Sequence, residues 1–284
     1  CSHQPIAPGH GASSPAMSAR SIFTALALLA ATASAPLAQD NDTAPEAPLP
    51  ETADASAAPA VSVDAGVTLT SRFIYRGINL GQAPQVQPSL ALNVGDFQAA
   101  VWSSHPVARP SDQSAETLAG AGNYREVNVW LLYNLDVGVG TLTPYVQNHY
   151  NPNNGPFFDL DNETTAHAFQ GQLTFRGDER SAPVDAMVGY VFFGNDDADV
   201  VGSVYLEGGY SFDVSGLAMR AFAGGVPGRS PFNGVTESHA QITNVGLSAS
   251  RDIRLSDDFS LPLGVQFVVN PYTEDAFAAV SVSL

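Results

Sequence analysis

From residue 65 to the last residue, large apolar side chains recur at every second position in short runs. This pattern restricts the fold more than any other feature. A period of two belongs to a strand with one face in an apolar environment and the other in a polar one. In residues 67–77, VTLTSRFIYRG, one face carries Val67, Leu69, Phe73 and Tyr75, with Ser71 among them. The other carries Thr68, Thr70, Arg72 and Arg76, with Ile74 among them. Read this way, residues 66–77 form one strand. Tyr75 closes the apolar face as an interfacial ring, and both guanidinium groups point to the polar side.

The same texture predicts twelve strands, at 66–77, 85–94, 97–104, 126–136, 141–150, 166–176, 183–193, 201–213, 217–226, 241–251, 260–269 and 276–284. Their joints alternate in length. The odd ones are mostly long and polar (78–84, 105–125, 151–165, 194–200, 227–240, with 270–275 shorter). The even ones are mostly tight (95–96, 137–140, 177–182, 214–216, with 252–259 the loosest). That alternation predicts an all-β fold, an up-and-down antiparallel transmembrane β-barrel of about 12 strands, with apolar faces against lipid and polar faces in the lumen. Residues 183–193 and 260–269 are apolar on both faces, which suits strands that pack inward on a plug or on another protein.

The front of the chain divides differently. Residues 1–16 read as an upstream extension and 17–38 as a signal peptide, with Arg20 before an apolar run and small residues after it. An N-terminal anchor helix is the other reading of that run, which is short for a span. Residues 39–64 are an acidic Ala/Pro-rich leader that buries too little to order itself, and 65–284 are the barrel. The single cysteine is Cys1, so the exported chain has neither a disulfide framework nor a thiolate metal site. The formal net charge is −17 and every basic residue is arginine. Such a surface repels nucleic acid, which is excluded as a partner.

Beyond these patterns, the chain resembles the TorF-type porins, a bacterial outer-membrane β-barrel family. The resemblance is carried by residues 71–77 (SRFIYRG), by Pro84 and Gln87, by Trp102, Ser103 and Ser104, and by Glu126 with Asn128. Ser104 and His105 stand where that family often has Asn. Past residue 136 the similarity is one of texture. The resemblance implies a barrel and a pore.

The lumen candidates are Arg72, Arg76, Glu126, Asn128, Gln170, Gln172, Arg176 and Glu207. Arg72 and Arg76 are read as a charged constriction that sets ion preference, or as a network that staples strands by pairing with Glu126 or Glu207. Asp159, Asp161, Asp196, Asp197 and Asp199 are oxygen donors that could hold Ca²⁺, although neither loop has the length and glycine of a dedicated site. With Glu163 they also form a negative vestibule that would favour cations. His149 and His167 flank the third long joint, but no nucleophile motif accompanies them, so no enzyme and no cofactor is expected. The leading functional expectation is an outer-membrane channel for passive diffusion of small polar solutes or ions. The alternatives are a filled-lumen structural or surface-interaction barrel and an outer-membrane hydrolase.

Overall fold

The computed structural model describes residues 60–107, 124–178, 181–196, 198–256 and 259–284. The upstream extension, the signal segment and most of the leader fall outside them. In chain order the strands are β1 (Val61–Thr70), β2 (Phe73–Tyr75), β3 (Ile78–Gly81), β4 (Gln85–Val94), β5 (Phe97–Pro106), β6 (Glu126–Tyr133), β7 (Leu135–Asp136) and β8 (Gly140–Tyr150). They continue with β9 (His167–Gly177), β10 (Val184–Phe193), β11 (Val204–Val214), β12 (Leu217–Val226), β13 (Gln241–Arg254), β14 (Ser260–Asn270) and β15 (Asp275–Ser283).

All but β2 and β3 belong to one antiparallel sheet. β6 and β7 are two pieces of one wall strand, interrupted at Asn134, and both pair with β8. Apart from the inserted β2 and β3, every other pair of wall neighbours is consecutive along the chain; the exception is β1, which pairs with β15 through Thr68↔Ser283 to Thr70↔Ser281. At that seam Val67 and Leu284 exchange backbone hydrogen bonds of 2.9 Å. The sheet therefore closes on itself as a twelve-stranded up-and-down barrel, which leaves no unpaired edge.

Alternation sets the faces. On β6 Glu126, Asn128 and Trp130 are buried inside, while Val129, Leu131 and Tyr133 are exposed outside. On β9 Gln170 and Gln172 point in and Leu173 points out. Each of the twelve expected strands has its counterpart in the wall, and β4 and β12 have the expected bounds. β1 begins at Val61, before the expected start of the barrel at 65, because residues 61–64 already pair with β4.

The first strand differs most from expectation. It stops at Thr70, and a bend at Ser71 and Arg72 turns the chain into the barrel. β2 and β3 then form a separate two-stranded hairpin. Phe73, Ile74 and Tyr75 are all buried, at 1%, 3% and 7% exposure. The expected lipid-facing positions of Phe73 and Tyr75, and of Tyr75 as an interfacial ring, are overturned. The turn between β2 and β3 is Arg76-Gly77, with φ of 48° and 81°. A two-residue hairpin of type I′ needs positive φ at both centres. Gly77 adopts it freely, and Arg76 does so at a steric cost of about 1–2 kcal/mol.

Glycines thin the wall where large inward rings lie flat against it. A Cβ at Gly246 would sit 2.3 Å from Phe222 Cζ and 2.6 Å from the Phe267 carbonyl oxygen. Phe222 in turn packs with Ile74, Val268 and Ala279. Gly246→Ala is therefore expected to destabilise the barrel by about 1–3 kcal/mol through overpacking. Denaturant unfolding in detergent checks this, with Gly208→Ala as a neutral control whose Cβ would have only ordinary contact, 3.7 Å from the Asp185 carbonyl oxygen.

Candidate functional site in the barrel interior

The hairpin sits at the end of the barrel that carries the long connections and reaches the wall in several directions. Phe73 packs on Trp102 of β5, with ring centroids 5.5 Å apart. Tyr75 meets His149 of β8 edge-on at 5.8 Å. Ile74 fills the apolar seat formed by Phe222, Val268 and Ala279. At Gly77 there is no space for a side chain, because a Cβ would lie 1.8 Å from the Thr243 carbonyl oxygen of β13. Asn270 Nδ2 donates to the Gly77 carbonyl at 3.2 Å, and Asn270 Oδ1 accepts the amide of Tyr272.

A second segment folds inward beside it. Residues 227–240 contain one 3-10 turn, Pro231–Asn233. Ser230 Oγ donates to the Val204 carbonyl at 3.1 Å and Ser203 Oγ accepts the amide of Phe232 at 3.1 Å, so the turn is tied to the start of β11. Phe232 lies edge-on to Tyr75 and to His149, at 6.1 and 5.1 Å. Val235 is fully buried with Met187, Tyr205 and Val226. The doubly apolar character of β10 and β14 now has a physical reason. Their inner faces supply Met187 beneath the folded loop and Val268 beneath the hairpin.

Arg76 is 3% exposed at the centre of this plug. Its Nη1 donates to Gln170 Oε1 and to Asn233 Oδ1, both at 3.1 Å, and its Nη2 donates to Gln172 Oε1 at 3.3 Å. The guanidinium carbon lies 4.8 Å from the Tyr75 ring centroid and 4.3 Å from that of Tyr205. A planar cation with donors at its edge and π faces on its sides uses each surface for a different contact. Arg72 is half-buried, 5.8 Å over the Phe277 ring. Arg176 is half-buried towards the short-turn end, opposite Asp185 and Thr141 in the ladders.

The two acids named as arginine partners are engaged elsewhere. Glu126 accepts the Tyr124 hydroxyl at 2.8 Å and lies 2.9 Å from His149 Nδ1. Glu207 accepts Arg220 Nη2 at 3.0 Å, Asn244 Nδ2 at 2.8 Å and the Tyr205 hydroxyl at 2.6 Å. Arg220 also forks onto Asp185 through Nε and Nη2. The pairing expected of Arg76 is thus replaced by an arginine on β12. Arg220 reaches Asp185 across Gly209, whose missing Cβ would lie 2.4 Å from Arg220 Nε. Sequence reasoning missed this hub. The available signal was a single charge in each of two otherwise apolar strands, VDAMVGYVFF and LAMRAFAGGV.

The acidic loops carry turn chemistry. Asp159 Oδ1 accepts the Asp161 amide, Asp161 Oδ1 accepts the Glu163 amide, Asp196 pairs with Asn162, and Asp199 pairs with Arg229. Among the described residues no group of three or more His, Cys, Asp or Glu is set to hold a metal. Asp197 lies outside those residues. His149 Nε2 has no hydrogen-bond partner among the described residues. His105 Nε2 lies 3.1 Å from Ser103 Oγ. That pair stands two residues apart on the outward face of one strand, and among the described residues no carboxylate is hydrogen-bonded to His105.

Fold and interior together define a closed β-barrel that carries a hairpin and a loop inside its wall. The chain belongs to the bacterial family Gcw_chp, described as a bacterial protein of unknown function, which matches residues 54–279. No curated protein matches the chain.

Two consequences are measurable. Arg220→Met leaves Asp185 and Glu207 inside the wall without their cation, and removal of one partner from a buried ion pair costs about 3–5 kcal/mol. Denaturant unfolding should report a loss of that size. The second concerns the Tyr272 hydroxyl, which donates to Glu237 and joins the loop at 227–240 to the turn after β14. That hydrogen bond holds the Glu237 carboxyl below its ordinary range and raises Tyr272. A depressed carboxyl contributes stability that is complete above its unfolded value, about 4.3, and is lost as pH falls through the lower folded value. Amide exchange in residues 271–274 should accelerate as pH falls below that range, after correction for the intrinsic rate. Glu237→Gln should remove the dependence.

Proposed function

We propose that this chain is an outer-membrane β-barrel whose lumen is closed at rest. Of the two leading sequence readings, the filled lumen is favoured over the permanently open diffusion channel. One observation carries this. The segment Phe73–Gly77 is buried inside the wall and touches β5, β8, β9, β11, β12, β13, β14 and β15. The outward faces support a membrane setting, since Leu90, Leu131, Leu173, Leu206 and Val280 are each more than 40% exposed. A largely apolar outer face on a closed barrel suits lipid. The resemblance to TorF-type porins rests on the same place, because residues 71–77 are the bend, first strand and turn of the hairpin, and Trp102, Glu126 and Asn128 line the wall beside it. Small polar solutes or ions would pass only when the hairpin moves.

Two measurements test the reading. The refolded chain in detergent should show strand-dominated circular dichroism and an electrophoretic mobility that changes on boiling. In planar bilayers the wild-type barrel should be nearly silent. Gly77→Ala, which drives a Cβ into the Thr243 carbonyl, and Phe73→Ala, which empties the Trp102 contact, should each give frequent openings. Steady wild-type conductance equal to that of both variants would sink the plugged reading.

A further inference from the structure

The outward wall is not uniformly apolar. A strand rises about 3.3 Å per residue, and at a tilt of about 40° the outward positions of β11, from Val204 to Val214, span about 25 Å along the barrel axis, the height of a membrane belt. β8 falls short. Its outward apolar run is Leu142, Pro144 and Val146, about 10 Å by the same reckoning. Above it come Asn148 and Tyr150, and beside Tyr150 on β9 stands His167. Bare Asn148 and His167 side chains would interrupt the belt on this side.

The loop 151–166 folds back over this gap. Tyr150 and His167, both on outward positions, are buried at 8% and 3% exposure. They stack at 4.7 Å, and Phe157 covers both at 5.1 and 5.3 Å. Beneath it, His167 Nε2 donates to the Phe157 carbonyl at 2.7 Å and Nδ1 lies 3.0 Å from Asn148 Oδ1. The loop is held in advance of any partner. Tyr150 donates to the Gly155 carbonyl, Thr165 Oγ1 to the Asp159 carbonyl, and the Asp196 amide to the Asn162 carbonyl. This scaffold displays Phe158 at 93% exposure and Leu160 at 58%. Below it the aromatic path continues down the wall, from His167 to Phe169 at 6.1 Å and on to Phe192 at 6.3 Å.

We infer that the loop 151–166 is a lipid-docking element that completes the apolar belt over β8 and β9, with Phe158 and Leu160 inserted among lipid chains just below the headgroups. This rests on the outer-membrane reading. Continuity fixes the occupant as lipid, because the displayed residues extend the wall's own outward aromatic column at the height where β8 turns polar. The flanking carboxylates of Asp159, Asp161 and Glu163 stay at the water side of the interface.

The full chain carrying Cys1→Ser provides a cysteine-free background. Phe158→Cys is labelled there with a small fluorophore, and the protein is refolded into phosphatidylcholine vesicles containing lipids with a shallow nitroxide. Leu173→Cys, mid-wall, and Ser238→Cys, in an exposed loop, are the controls, and retained heat-modifiable migration verifies folding of each. The label at 158 should lose most of its emission to the nitroxide lipid and little to aqueous iodide, with the opposite at 238. Quenching at 158 by iodide alone, while 173 responds to lipid, overturns the docking and leaves the membrane reading standing. Shielding of 158 from both quenchers means a protein contact and also overturns it. A label at 173 that ignores lipid removes the membrane reading itself.

Discussion

Twelve strands enclose more width than their own inward side chains can fill, since eight already leave an interior just wide enough for packing. A barrel of this size must hold water or bring in further chain. Here further chain is used, and much of the interior chemistry follows from it. The hairpin enters where the first long connection begins. Its turn, Arg76-Gly77, therefore comes against the inner wall with no clearance at Gly77. The backbone of a two-residue turn exposes carbonyls, and Asn270 Nδ2 satisfies that of Gly77. The wall facing the plug is accordingly rich in amides. Gln85, Gln87, Gln170, Gln172 and Asn244 are all buried on it.

The chain's exclusive use of arginine as its base matters in this setting. A lysine ammonium at position 76 could satisfy three acceptors, but it would present no plane to Tyr75 and Tyr205. A guanidinium does both, and it is more weakly hydrated, so burial costs it less. The stack also links the plug to the charge hub. Tyr205 holds Arg76 by its face and donates its hydroxyl to Glu207, while Glu207 accepts Arg220 and Asn244. Gly224 makes room for that hydroxyl, since a Cβ there would stand 2.2 Å from it. Hairpin, tyrosine, carboxylate and wall arginine therefore form one contiguous network.

The wall was legible in the sequence because wall strands obey a local rule. One face meets an apolar surrounding and the other a polar one, and the joints alternate in length. The hairpin was not legible by the same rule, because a period of two persists through the bend at Ser71 and Arg72. Phe73 and Tyr75 keep the parity of Val67 and Leu69 while lying inside the barrel. A different local signal was present. FIY and INL are two apolar runs separated by two residues, the second a glycine, which is the mark of a tight hairpin. Arg220 with Asp185 and Glu207 escaped for another reason. Their meeting depends on register across β10, β11 and β12, where Asp185 faces Gly209 and Gly209 faces Phe222. No single strand contains that information. The acids Glu126 and Glu207 were placed on the correct face, but choosing their partners required the third dimension.

The composition of the plug's seat bears on whether it can leave. An apolar plug in an apolar seat would expose both surfaces to water on release, at about 25 cal/mol for each Å². This seat is mixed. Ile74 with Phe222, Val268 and Ala279 is a small apolar anchor, whereas Arg76 is held by the side-chain oxygens of Gln170, Gln172 and Asn233. Each hydrogen bond to a charged group contributes about 1.5–3 kcal/mol in place, but its partners can be rehydrated in a wet lumen and are not stranded. Gln170 and Gln172 also bond to each other at 2.6 Å, so the wall keeps part of its order without the guanidinium. On the closed-lumen reading proposed above, the apolar anchor would hold the hairpin inside and the polar ring would lower the cost of withdrawing it, so that opening would leave the twelve-stranded wall intact.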